Sequence, residues 1–198
     1  MKKIASTALV ACAFLFGVAS CNQQQGAVDE AQETNEQEFE DTSMEEQKAS
    51  QSDFMTQAAS SNMLEIQAGQ LAQEKGQSQQ VKGFGQMMVT DHEKATDQLK
   101  SLASQKSITL PDSMSQDHKD KLQSLRDKTG SDFDQSFMDL MVNSHQEAVN
   151  LFDNAASDLE DPDVKSFASS TLPTLRQHLD QANQIKDSMS NNSTASNQ

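Results

Sequence analysis

Apolar residues recur every three or four positions along most of this chain, and that spacing predicts α-helices. No convincing stretch alternates apolar and polar residues, so no strand is predicted. Five helices are expected, of which the third, at about 113–128, is short. They begin near Asp53, Ser78, Ser113, Ser131 and Pro162.

The residues between these helices support their boundaries. Gly76 ends the first helix and Ser78 can cap the second. Ser131 with Asp134 offers an approximate capping box for the fourth, and Pro162 suits the first position of the fifth. Short loops make helices one and two, and helices four and five, antiparallel pairs. The prediction is an all-α bundle of four long helices with an additional short one.

Each long helix carries one residue that could bind a metal on its apolar stripe: Glu65, His92, His145 and His178. A buried carboxylate or imidazole needs a partner, so these four are expected to meet in the core. At ~1.5 Å per residue, His145 and His178 lie at nearly equal height, whereas Glu65 and His92 are offset by roughly 7 Å. Glu65 is therefore the doubtful member, and two adjoining polar pairs are the alternative to one four-residue centre.

The residue types allow several kinds of centre. Three histidines and a carboxylate suit zinc. Met88 and Met141 stand one turn before His92 and His145, a soft ligand set that suits copper(I), although methionine is also an ordinary core filler. Either metal, bound as one ion, or a metal-free buried polar network fits the pattern.

A di-iron oxidase is not favoured, because such sites carry Glu three residues before His on two helices. Here those positions hold Val89, Val142 and Leu175. Two residues near the stripe are given minor roles. His118 is expected to be a half-buried structural histidine or an outer partner, and Asp91 is expected to face solvent.

The N-terminus predicts export and lipid attachment. Two lysines precede an apolar run, and the run ends in Val18-Ala19-Ser20-Cys21, which resembles the bacterial lipobox. Residues 1–20 are then a signal peptide and Cys21 is the lipidated residue. The expected location is the bacterial envelope, at the outer membrane facing the periplasm. The alternative is an ordinary signal peptide.

The remaining chain divides by composition. Residues 21–51 hold nine acidic residues against one lysine and are expected to be a disordered linker. Residues 52–187 form the helical domain, and 188–198 a disordered tail. The formal net charge of -15 and the missing basic stripe exclude nucleic-acid binding. No phosphate loop, nucleophile elbow or His-Glu-x-x-His motif is present, so catalysis is not expected.

Several short motifs occur in a fixed order along the helical part of the chain. They are Asn62-x-x-Glu65, Met88-Val89-x-Asp91-His92, Gly130-x-x-Phe133-Asp134, His145-Gln146 and Leu172-Pro173-Thr174-Leu175-x-x-His178. Their order resembles that of bacterial domain-of-unknown-function family 4142. The resemblance covers about 53–186 and implies a ferritin-like bundle, with Glu65, His92, His145 and His178 on motif positions of the family. It implies no established activity, so an envelope metal-binding module and a metal-free structural or stress-related interaction protein both stay open.

Overall fold

The computed structural model describes residues 26–39 and 45–195, and the secondary structure of these residues is entirely helical. Helices α2, α3, α5 and α6 form a ferritin-like four-helix bundle, as predicted. Within the described ranges, no helix is both long and apolar enough to cross a membrane. The helices are α1 (Ala27–Phe39), α2 (Glu45–Lys75), α3 (Gln79–Lys106), α4 (Gln116–Arg126), α5 (Gly130–Asp158) and α6 (Pro162–Ala195).

Of two helix caps predicted from the sequence, the one at the turn between α2 and α3 is confirmed and the one at the start of α5 is wrong. Ser78 caps α3 by accepting a hydrogen bond from the Gln80 backbone amide at 3.2 Å. The predicted capping box at Ser131 and Asp134 is wrong. Asp134 instead accepts the backbone amides of Gln77 and Ser78 at 2.9 and 2.8 Å, which ties α5 to the α2–α3 turn.

Helices α2 and α3 approach each other closely at two glycines. A Cβ added to Gly85 would lie 2.7 Å from the Gly69 carbonyl oxygen and 2.7 Å from the Ala72 Cβ. A Cβ on Gly69 would meet the Gly85 carbonyl oxygen at 2.6 Å. Only glycine permits this spacing, because any side chain would push one backbone away from the other.

The core consists of two apolar clusters with a polar layer at their boundary. The first cluster is centred on the rings of Phe54, Phe152 and Phe167, and the second contains Phe84 and Phe137. Along each of the four long helices, the residues of one cluster are followed by those of the other. The change of cluster occurs next to the one buried Glu or His on that helix, so these four polar residues come together at one level of the bundle.

The N-terminal part of the expected linker is ordered, so that expectation is wrong for 27–39. Helix α1 buries Phe39 in the first apolar cluster. Its Asn35 is fully buried and hydrogen-bonds the Ser52 hydroxyl and both backbone groups of Thr109 at 2.7–2.9 Å. These side-chain bonds offset the low apolar content that suggested disorder.

Two further boundaries differ from expectation. Helix α2 begins at Glu45, within the expected linker, and α6 continues to Ala195, past the expected start of the tail. The predicted signal peptide and the lipidated Cys21 lie outside the described residues.

Candidate metal centre

Three histidines from three helices meet at the polar layer. One ring nitrogen of His92, one of His145 and one of His178 lie within 4.8 Å of one another. The ring centroids are 5.3–5.6 Å apart, and none of the residues is more than 2% exposed. The structure therefore brings together all three histidines that the sequence selected, on α3, α5 and α6.

His145 is oriented by its own helix. Its Nδ1 donates to the Met141 carbonyl oxygen at 2.8 Å. A carbonyl can only accept, so the Nδ1 atom carries the proton and Nε2 keeps its lone pair. The Nε2 atom is buried and has no hydrogen-bond partner.

His92 is oriented by residues of α2. Its Nδ1 lies 3.0 Å from the Asn62 side-chain oxygen and 3.1 Å from Glu65 Oε2. The amide oxygen of Asn62 accepts, so Nδ1 is again the protonated nitrogen. Nε2 of His92, like that of His145, is buried and has no hydrogen-bond partner among the described residues.

His178 shows the same arrangement with its nitrogens exchanged. Its Nε2 donates to Asp91 Oδ2 at 2.9 Å, and its Nδ1 is buried without a partner. The expectation that Asp91 only faces solvent is wrong, since 39% of its side chain is exposed while its carboxylate holds His178. The position of Asp91 on its own helix could not predict this contact, because its partner, His178, lies on α6.

Glu65 joins the centre, although the rise calculation predicted an offset from His92. Its carboxylate lies 3.1 Å from His92 Nδ1 and 3.4 Å from His145 Nδ1. The calculation measured backbone height and ignored the tilt of helical side chains toward the N-terminus. Glu65 tilts away from the α2–α3 turn and His92 tilts toward it, which closes the remaining gap.

Burial keeps the histidines neutral. It lowers the pKa of His92 to about 4, against the opposing effect of Glu65, and lowers that of His145 to about 4. Burial also lowers the pKa of His178, with Asp91 opposing. The contacts of His92 and His145 with Glu65 at neutral pH are therefore close approaches of neutral imidazoles and not ion pairs.

Burial disfavours the charged form of Glu65 as well, and for a carboxyl group this raises the pKa. His92 and the hydroxyls of Ser144 and Ser61 partly oppose that rise. The two hydroxyls lie near the carboxylate but outside hydrogen-bond geometry, since neither Glu65 oxygen has a hydrogen-bond partner among the described residues.

The three partnerless nitrogens fit a metal ion. Each imidazole has its outer nitrogen held by an oxygen acceptor and its inner nitrogen left as a lone pair, the arrangement that metal-bound histidines adopt. A tetrahedral metal with bonds of about 2.0–2.1 Å holds ligand nitrogens roughly 3.3 Å apart. From a spread of at most 4.8 Å, modest ring movements reach that geometry, so the His92–His145–His178 cluster could bind a metal.

The other candidates lie at different positions. Met88 and Met141 are fully buried in the second apolar cluster, next to the centre along the helices, and their role as ligands stays a prediction. His118 on α4 lies apart from the cluster. Its Nδ1 is 2.7 Å from the Ser60 hydroxyl, so of its two expected roles the structural one is confirmed.

Comparison with known proteins gives a family and two similar folds. The family model described as "Domain of unknown function (DUF4142)" matches residues 34–185. No curated protein matches the chain. A DUF305 fragment from Deinococcus radiodurans is 14% identical with a TM-score of 0.63, and covers 70% of this chain and 95% of its own. CopM in the Cu(II)-bound form is 20% identical with a TM-score of 0.60, and the match covers 70% of this chain and 96% of CopM. At these identities the likeness shows a shared helical fold.

Proposed function

The chain belongs to the DUF4142 family, and we propose that it binds one copper ion through His92, His145 and His178. The observation that carries the proposal is the set of three buried imidazole nitrogens, one from each histidine, that have no hydrogen-bond partner in the described part of the chain. An unsatisfied buried polar atom costs about 1–3 kcal/mol, and three adjacent lone pairs also repel one another. A bound cation removes both penalties.

Copper is favoured over zinc by the atoms available. Glu65 approaches the outer nitrogens of His92 and His145, so its carboxylate is an outer partner and the inner set is imidazole alone. Three neutral imidazoles with nearby thioether sulfurs suit copper, whereas zinc takes a fourth ligand such as a carboxylate or water. The Cu(II)-bound state of the structural neighbour CopM supports the same choice.

The cellular setting is part of the proposal. The leader and Cys21 favour a lipid-anchored protein of the bacterial envelope. The experiment compares how the native chain and a Cys21→Ser variant partition into the detergent phase. A copper site there would buffer or carry the ion. Loss of detergent partitioning in the variant supports the anchor, and equal partitioning contradicts it.

Metal binding is tested by thermal unfolding of a Cys12→Ser/Cys21→Ser chain, because free thiols bind copper themselves. A metal at 100 times its Kd stabilises the fold by about 2.7 kcal/mol, which raises Tm by roughly 5–10 °C. We expect this rise with copper, and one ion per chain. His145→Gln should abolish it, while His118→Gln, the same change outside the centre, should not.

Each other result has a defined meaning. A larger stabilisation by zinc than by copper would reject copper and keep the metal site. No stabilisation by any of Cu(I), Cu(II) and Zn(II) would reject the proposal and favour the metal-free structural or interaction protein.

A further inference from the structure

The groups that orient the three imidazoles differ in their access to solvent. The Glu65 side chain is 1% exposed and Asn62 is 5% exposed, and the Met141 carbonyl bond lies in the interior. The Asp91 side chain is 39% exposed. Of these groups, Asp91 alone connects a centre histidine directly with solvent.

The bonded nitrogens do not by themselves define an open side of the centre. Glu65, from α2, lies next to the Nδ1 atoms of His92 and His145, and Asp91 lies next to the Nε2 atom of His178. All three of these nitrogens are bonded, so access to solvent has to distinguish the two sides. On the side of α3 and α6 the orienting carboxylate, Asp91, contacts solvent.

Helices α3 and α6 border a groove on that side. The groove has a volume of about 510 Å³ and is lined by uncharged side chains, among them Gln80, Gln181 and Phe84. The Phe84 ring is only 2% exposed, and its centroid lies 6.4 Å from those of both His145 and His178. A single aromatic ring therefore stands between the groove and two of the ligand imidazoles.

We propose that metal ions reach the centre between α3 and α6, along a line that we call the α3–α6 seam and define by Phe84, Asp91 and His178. This inference rests on the proposed metal binding. The exposed Asp91 carboxylate attracts the hydrated cation first, and the ion then passes the His178 ring to reach its free Nδ1, since Nε2 stays bonded to Asp91. Asp91 is thus a capture residue for uptake as well as the orienting partner of His178.

A second path leads toward the centre from the opposite face. A cavity of about 220 Å³ among α1, α2, α4 and α5 is lined by Ser61 and Glu147, and Ser61 lies near the Glu65 carboxylate. This path ends on the Glu65 side, at a carboxylate whose side chain is only 1% exposed. It gives the competing outcome for the experiment.

The experiment measures the rates of Cu(II) uptake and release by stopped-flow absorbance, in the full chain with both cysteines changed to serine. Asp91→Asn removes the charge at the seam, and Glu147→Gln removes the charge at the other cavity. Asp97→Asn makes the same chemical change at an exposed position of α3. Asp91→Glu keeps the charge and alters the 2.9 Å contact with His178.

We expect Asp91→Asn to slow uptake about tenfold and to weaken its dependence on salt, because a local carboxylate concentrates cations. Asp91→Glu should restore the uptake rate. Asp97→Asn and Glu147→Gln should behave as the parent chain does. Together these results would support the seam.

Four results would overturn the inference. If Asp91→Asn only speeds release, Asp91 orients His178 and takes no part in uptake. If Glu147→Gln slows uptake and Asp91→Asn does not, ions pass through the opposite cavity. If the parent chain binds no metal at equilibrium, the proposed function fails and the seam fails with it, whereas normal binding with unchanged Asp91→Asn kinetics rejects the seam alone.

Discussion

The close approach of α2 and α3 can be tested with two alanine substitutions two residues apart on the same helix. A Cβ at Gly85 would lie 2.7 Å from the Gly69 carbonyl oxygen and the Ala72 Cβ, whereas a Cβ at Gly83 would have no neighbour within 4 Å. Both positions are inside α3. Gly85→Ala and Gly83→Ala therefore share the change in helix propensity and differ in steric overlap.

The magnitudes follow from that comparison. Replacing glycine by alanine inside a helix gains about 0.5–1 kcal/mol, so Gly83→Ala should stabilise the protein by that amount. At Gly85 the new methyl would be roughly 1 Å inside the normal carbon contact distance, and overpacking of this kind costs about 1–3 kcal/mol. The free energy of unfolding should differ between the variants by about 1–3 kcal/mol, with Gly83→Ala the more stable.

The assay is urea unfolding followed by far-UV circular dichroism, with equal m-values required for the comparison. Copper binding gives a second measurement, because Gly69 lies one turn from Glu65 and Gly85 two turns from His92. Separation of α2 from α3 should loosen the Glu65–His92 contact, and the loss of an outer partner lowers metal affinity about 10–100-fold. Equal stability of the two variants would refute the steric argument.

Three further changes test other parts of the structure. Between about pH 6.5 and 4, His92 and His145 become protonated in the unfolded chain but not in the folded one. Urea titrations should therefore show the free energy of unfolding falling as the pH falls, by on the order of 3 kcal/mol per histidine. A flat profile would contradict the burial of these histidines as neutral groups. Asn35→Ala removes the three hydrogen bonds of a fully buried side chain, so it should destabilise the fold by about 1–3 kcal/mol. Hydrogen exchange should show α1 losing protection before α3, and uniform loss would contradict local docking of α1. Asp134→Ala removes the acceptor of two amides at the α2–α3 turn and should lower the free energy of unfolding by about 1.5–3 kcal/mol in the urea assay, whereas an unchanged value would show the contacts to be dispensable.

Much of the centre could be predicted from the sequence because helical periodicity is local. A period of 3.6 residues places His92, His145 and His178 on apolar stripes, and equal distances from a short turn bring His145 and His178 to the same height. These inferences need only residue spacing and the antiparallel order of the helices. The structure confirms that the three imidazoles meet.

Other contacts depend on residues far apart in the chain. Asp91 and His178 are separated by 87 positions, and Asn35 and Thr109 by 74, so no local sequence pattern predicts either hydrogen bond. The approach of Glu65 to His92 could not be predicted from backbone height, for a different reason. Backbone rise gave its height, but the direction of its side chain decided which atoms it reaches.

The sequence by itself determined helices α2 to α6, their order and the histidines that face inward, since each follows from a repeating pattern along one chain segment. For His92 and His178, tertiary structure alone decided which nitrogen is held and which is free. That choice depends on acceptors brought from other helices, Asn62 for His92 and Asp91 for His178, whereas His145 is held by the Met141 carbonyl of its own helix. The free lone pairs are what give the cluster its capacity for a metal, and they exist only once the bundle has closed.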